Sequence, residues 1–187
     1  MCRRGFLASV VRIDEGADMT HDEITTRRSS RRARRGRADC CWGRGRRLVV
    51  VDVENIAGGP CKTEAAVAWV RQRLTDVGAL TGDDMVTVGV DECGLASVAW
   101  AWRGARAVYG HGRDGADRAL LEVLADRIPE RYDSVVLASG DGIFTDVVTD
   151  LVARGVHVTV VAHADGLSRR LAAAASDTVA LSGAAVA

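Results

Sequence analysis

The sequence predicts a three-layer α/β/α domain with a mostly parallel central sheet over residues 48–187. Three observations carry that prediction. Short β-branched runs recur along the chain, segments with apolar residues at helical spacing separate them, and acidic residues follow several of the runs. Strands alternating with helices imply a sheet covered on both faces, with right-handed crossovers. The 187 residues suffice for one domain with a sizeable core. A 48% apolar content and a mean hydropathy of +0.03 fit a soluble globular protein.

Leu48 to Val53 is a β-branched run of the kind buried on both faces of a sheet. Asn55 to Pro60 holds two Gly and a Pro and reads as a loop. Thr63 to Val77 places Ala66, Val67, Val70 and Leu74 at helical spacing and ends at Gly78. Met85–Val90 is the second strand. Leu95–Trp102 is a helix with Trp100 and Trp102 near its end as packing residues, and Ala105–Tyr109 is a third strand. Ala116–Ile128 is an amphipathic helix that Pro129 stops, and Ser134–Ala138 is the fourth strand. Ile143–Ala153 is a helix ended by Gly155, followed by a strand over Val156–Ala162, a helix over Leu167–Ala175 and a sixth strand over Thr178–Leu181.

Residues 1–47 break this pattern. They hold 13 Arg against 6 Asp and Glu, and the stretch from Arg27 to Arg47 packs ten Arg among Ser, Ala and Gly. Such a composition cannot bury apolar area, so a disordered Arg-rich arm is expected. The arm either holds phosphates electrostatically or is an unselected extension, as a misassigned start codon would give, with Met19 as a further start downstream. The remainder is acidic, with 12 Lys and Arg against 19 Asp and Glu. That asymmetry points towards nucleic acid.

The five cysteines are odd in number and lack metal-ligand spacing, which argues against a disulfide framework or a zinc site. No apolar run approaches a membrane span and no signal-peptide pattern opens the chain, so the expectation is a cytoplasmic protein that does not contact membrane. Gly58-Gly59-Pro60 and Gly110-His111-Gly112 do not form a dinucleotide fingerprint, and no dinucleotide cofactor is expected.

In parallel sheets ligands bind beyond the carboxyl ends of the strands. Asp52, Glu54 and Asn55 follow the first strand, Asp91 and Glu92 the second, Asp114 and Asp117 the third, and Ser139-Gly140-Asp141 the fourth. Clustered carboxylates repel one another unless a cation compensates, and hard oxygen ligands suit Mg²⁺ or Mn²⁺. Asp91, Glu92 and Asp114 read as solvated loop residues. Asp117 also suits a helix N-terminus, and Asp141 also suits a helix N-cap. Asp52 interrupts a run that should be buried, and an ionised group there needs a partner or a metal.

Val51-Asp52-Val53-Glu54-Asn55, Gly115-Ala116-Asp117-Arg118-Ala119-Leu120-Leu121 and Leu137-Ala138-Ser139-Gly140-Asp141-Gly142-Ile143-Phe144 closely resemble, in order and spacing, the three blocks of the NYN domain family. That family belongs to the PIN-like superfamily of metal-dependent nucleases, and the likeness runs over about residues 48–182. The resemblance implies a PIN-like fold and a Mg²⁺ or Mn²⁺ site formed by Asp52, Asp117 and Asp141, supported by Asn55 and Ser139. It also implies ribonuclease activity, with RNA as the partner.

Many relatives carry a second acid two residues after the one corresponding to Asp141. Here that position is Ile143, and Asp146, near the start of the same helix, is the expected substitute. Arg169 and Arg170 follow the fifth strand, where they either bind a nucleic-acid phosphate or solvate a helix face. A homo-oligomer is compatible with the sequence. The readings that compete with a ribonuclease are a catalytically weak or inactive module that binds nucleic acid or protein, and a phosphatase of small phosphate esters.

Overall fold

The computed structural model describes residues 45–182. The expected disordered arm therefore lies, but for its last three residues, outside the described residues. Six strands form one sheet: β1 (Arg47–Asp52), β2 (Met85–Gly89), β3 (Arg106–Val108), β4 (Ser134–Ala138), β5 (His157–His163) and β6 (Asp177–Leu181). Their order is β3-β2-β1-β4-β5-β6 and every pairing is parallel. The expected mostly parallel sheet is thus wholly parallel.

Alternation along β1 divides the core. Val49 and Val51 face α1 (Val53–Ala57), α2 (Glu64–Asp76) and α3 (Leu95–Ala101), through Ile56, Val67, Val70, Leu74 and Val98. Leu48 and Val50 face the opposite layer, built from α4 (Gly115–Ala125), α5 (Ile128–Arg131), α6 (Thr145–Ala153) and α7 (Arg169–Ala174), with Leu120, Leu124, Ile128, Phe144 and Leu171 buried there. Burial on both faces is why β1, β4 and β5 read as continuous apolar runs.

The chain winds outward from β1 to β2 and β3, then crosses through α4 to β4 and winds the other way. β1 and β4 therefore flank the topological switch point, where a parallel sheet opens a crevice beyond its carboxyl edge.

Two short helices depart from the expectations. Residues 53–57 form α1 rather than the start of a loop, because the Asp52 side chain accepts from the Asn55 amide and caps the turn. Gly58, at φ 77°, ends it. Pro129 does not merely stop a helix: it lies in the first turn of α5, where its missing N–H costs nothing. The tryptophans also separate. Trp102 is buried in the core, whereas Trp100 is exposed with the Arg103 guanidinium 5.6 Å from its ring centroid.

Arg47, expected in the disordered arm, instead opens β1 and makes a buried two-pronged ion pair with Asp84, at 2.7 Å from Nε and 2.6 Å from Nη2. Burial pushes the Asp84 carboxyl up. The bonds from Arg47 and from Thr81 outweigh it and hold the group below its ordinary value.

Candidate functional site

Asp52 is the last residue of β1 and only 5% exposed. Its Oδ1 accepts from the Asn55 amide at 3.1 Å, and its Oδ2 accepts from the Ser139 hydroxyl at 3.0 Å. Ser139, fully buried just beyond β4, also accepts from the Asp141 amide at 3.2 Å. Asn55 Oδ1 accepts from the Gly140 amide at 2.8 Å. Asn55 and Ser139 thus stitch the end of β1 to the loop after β4, the two sides of the switch point. Asp141, exposed, opens a 3₁₀ turn over residues 142–144 by accepting from the Ile143 amide at 2.9 Å.

The loop approaches its neighbours too closely for side chains. A Cβ on Gly140 would lie 2.4 Å from the Gly166 carbonyl oxygen, and the Gly140 carbonyl accepts from Ser168 at 2.9 Å. On the opposite wall Gly110 and Gly115 touch backbone to backbone, which holds the β3–α4 loop against the first turn of α4. That turn carries Asp117 and is preceded by Asp114 in the left-handed region, at φ 59°. His163, at the end of β5, has Nε2 2.9 Å from the Ile56 carbonyl oxygen. A carbonyl can only accept, so the ring proton sits on Nε2 and ties β5 to α1.

The electrostatics show which acids share this space. Burial is the largest cause that pushes Asp52 up to about 7, with the charges of Asp117 and Glu54 adding to it; the bonds from Asn55 and Ser139 oppose the shift. Asp117 is raised by burial, by Asp141 and by Asp114, against a hydrogen bond between the Asp117 and Asp52 carboxyl groups. Asp117 is therefore close enough to Asp52 and to Asp141 for the charge of each to act on it.

Glu54 and Asp91 join them. Glu54 is raised by burial, then by Asp91, against a bond from the Cys61 amide; the charge of Asp117 adds to the rise, and a bond from the Asp91 amide opposes it. Asp91 is half-buried and accepts from Gly94 at 2.7 Å, so it is not the solvated loop residue expected. The buried Cys61 thiol beside these acids is pushed up to about 11 by burial, Glu54 and Asp91. The available signal for Glu54 and Asp91 is their position just after strands; Asp91 reads there as a solvated loop residue, and Glu54 carries no assigned role in the sequence.

Three expected residues lie outside the acid cluster. Asp146 is 96% exposed, 3.8 Å from Arg170, and is not brought to the other acids. The reason is helical phase: five residues carry Asp146 about 140° around a helix of 3.6 residues per turn, away from the face of Asp141. Arg169 and Arg170 are exposed on the first turn of α7, which follows Ser168 and so begins beside the Gly140 loop.

Among the described residues, none of Asp52, Glu54, Asp91, Asp117 or Asp141 forms an ion pair. Nor does any group of three or more His, Cys, Asp or Glu among them stand arranged to hold a metal ion. The donor set nonetheless fits a hard cation: it is all oxygen, it gathers acids without a compensating side chain among the described residues, and it keeps one buried carboxyl well above its ordinary range. No described helix is long and apolar enough to cross a membrane.

Comparison with known proteins follows this geometry. The chain is similar to a protein of unknown function from Vibrio parahaemolyticus, whose crystal structure aligns over 73% of this chain and 93% of that one, at 20% identity and a TM-score of 0.49. No curated protein matches significantly. The NYN domain family model matches residues 104–182, a span that runs from just before β3 through β6 and includes Asp117 and Asp141. This chain therefore carries an NYN domain over residues 104–182.

Proposed function

We propose that the protein is a metal-dependent ribonuclease that hydrolyses RNA phosphodiester bonds at the carboxyl edge of its sheet. The observation that supports the reading is the coupling of Asp117 to the buried Asp52 and to Asp141 beyond the ends of the strands, with no ion pair to any of the three among the described residues. The NYN match supports it, since that family lies among PIN-like nucleases.

In this reading Asp52, Asp117 and Asp141 hold Mg²⁺ or Mn²⁺. When bound, the ion supplies a Lewis acid for phosphate oxygens and lowers the pKa of water to where hydroxide is accessible. The chain's own residues prepare for it. Asn55 and Ser139 fix both oxygens of Asp52, and Ser139 also orients the Asp141 backbone. Glu54 and Asp91 contribute the further negative charge that Ile143 does not supply. Arg169 and Arg170 attract the RNA backbone from the α7 side, a contribution that weakens with salt.

A second reading has its own observation. Ile143, 39% exposed, occupies the position where many relatives carry another acid, which favours a module that binds RNA with little or no turnover. Incubation of single-stranded RNA with the full chain in Mg²⁺ or Mn²⁺ separates the two. Cleavage that Asp141→Asn abolishes supports the ribonuclease. Binding without cleavage in either metal leaves the binding module, and turnover of a small phosphate ester but not of RNA overturns both.

A further inference from the structure

We propose that His163 is a positioning residue for the acid site: its imidazole closes a ring of hydrogen bonds that fixes α1 against the Gly140 loop and so holds the Asp52 carboxyl in place. The proposal rests on the ribonuclease reading. Alternation along β5 sets the geometry. Val161 packs on the α1 side of the sheet, and His163, two residues on, shares that face. The ring then runs through residues far apart in sequence. Asn55 Oδ1 accepts from the Gly140 amide at 2.8 Å, and the Gly140 carbonyl accepts from the Ser168 amide at 2.9 Å. The turn that leads to Ser168 is closed by the Gly166 amide, which donates to the His163 carbonyl at 3.1 Å. From His163 the ring nitrogen Nε2 reaches 2.9 Å to the carbonyl of Ile56, the neighbour of Asn55 in the chain.

The contact to Ile56 is the one that α1 depends on. Five residues are too few for a helix to hold itself, so outside contacts must fix it. Ile56 is wholly buried and lies in the last turn, where a helix leaves its carbonyls without intrahelical donors. A buried carbonyl without a partner is costly, so removing the imidazole drives the end of α1 towards water or another donor.

Such a movement reaches the site because Asp52 is itself the cap of α1. Its Oδ1 accepts from the Asn55 amide on the helix, and its Oδ2 accepts from Ser139 on the loop after β4. The two oxygens of one carboxyl thus answer to two elements, and both bonds survive when those elements keep their spacing. The Asn55 side chain bridges them at one point, about which α1 can still pivot. His163 supplies the second point, from the strand next to β4.

The test uses the full chain, with Mn²⁺ affinity from titration calorimetry, exchange of the Gly140 amide from NMR, and steady-state cleavage of a single-stranded RNA. His163→Leu, which fills the space without a donor, is expected to weaken Mn²⁺ binding and to lower kcat by about 10- to 100-fold each, the usual cost of removing a group that orients metal ligands. KM for RNA should stay nearly unchanged, and the Gly140 amide should exchange faster. The melting temperature should fall by about 2–10 °C, as one unpaired buried carbonyl would cause. His163→Gln carries an amide N–H as many bonds from the backbone as Nε2 and should restore Mn²⁺ affinity, kcat and exchange together. Should His163→Leu not fold, His163→Asn, whose amide falls one bond short, takes its place. Wild-type Mn²⁺ affinity and kcat in the variant without the donor overturn the positioning role and leave the ribonuclease standing, and so does a His163→Gln no better than His163→Leu. A wild type that binds Mn²⁺ without cleaving RNA, with the loss and rescue of affinity intact, supports the positioning role and removes the hydrolysis. A wild type that neither binds Mn²⁺ nor cleaves RNA overturns both.

Discussion

Asp52→Asn should make the metal-free protein more stable, by an amount that grows as pH rises from about 4 and levels off above about 7. The Asp52 carboxyl has an ordinary value of 3.8 and is pushed up to about 7 in the folded chain, chiefly by burial. Between those values the folded state binds more protons than the unfolded one, so stability falls as pH rises. The contribution is fully present below 3.8 and is lost as pH passes through about 7. A shift of roughly three units at 1.36 kcal/mol each amounts to about 4 kcal/mol, an order-of-magnitude figure.

Asparagine has the same shape without the charge. It can still accept from the Asn55 amide, and Ser139 can turn its hydroxyl to accept from the new amide. At about 2–4 °C per kcal/mol for a domain of this size, the variant should melt on the order of 10 °C higher than the wild type at pH 8, and at nearly the same temperature at pH 4. The assay is thermal unfolding by circular dichroism from pH 4 to 8 in a chelator. Added Mn²⁺ should then stabilise the wild type more than the variant, since a ligand stabilises the state that binds it. A variant that melts at or below the wild type at pH 8, or a difference that does not change with pH, refutes the reasoning.

Two further perturbations test the frame around the site. Asp84→Ala strands the buried Arg47 guanidinium and should cost about 3–5 kcal/mol, read as a lower urea midpoint, whereas replacing Arg47 and Asp84 together by apolar residues should recover most of that loss. Gly140→Ala drives a Cβ against the Gly166 carbonyl and should cost about 1–3 kcal/mol; hydrogen exchange at the Gly140-loop amides should rise as the bond to Asn55 loosens.

Legibility followed burial. β1, β4 and β5 were readable because strands covered on both faces are apolar throughout, a pattern that needs no knowledge of the partner strand. α1 and α5 were not, since five and four residues are too few to display a helical period, and their Gly and Pro read as breaks. Within the site, Asp52 announced itself as an acid where apolar residues belonged. Glu54 and Asp91 look like ordinary loop acids until the fold sets the Glu54 carboxylate against the Cys61 and Asp91 amides. Asp146 shows the opposite error, an acid credited for its nearness to Asp141 in sequence when five residues turn it to another face of the helix.

The central place of β1 has a consequence in time. Asp52 meets the Ser139 hydroxyl across 87 residues of chain, whereas β2, the other neighbour of β1, follows it closely. During synthesis β1 and β2 can pair while β4 is still unmade, and pairings between distant segments form slowly. A nascent chain then presents Asp52 and Asp117 before it presents Asp141, and its acid cluster closes only when β4 docks on β1. The closing of that cluster is then a late step of folding, timed by the docking of β4 rather than by the synthesis of β1.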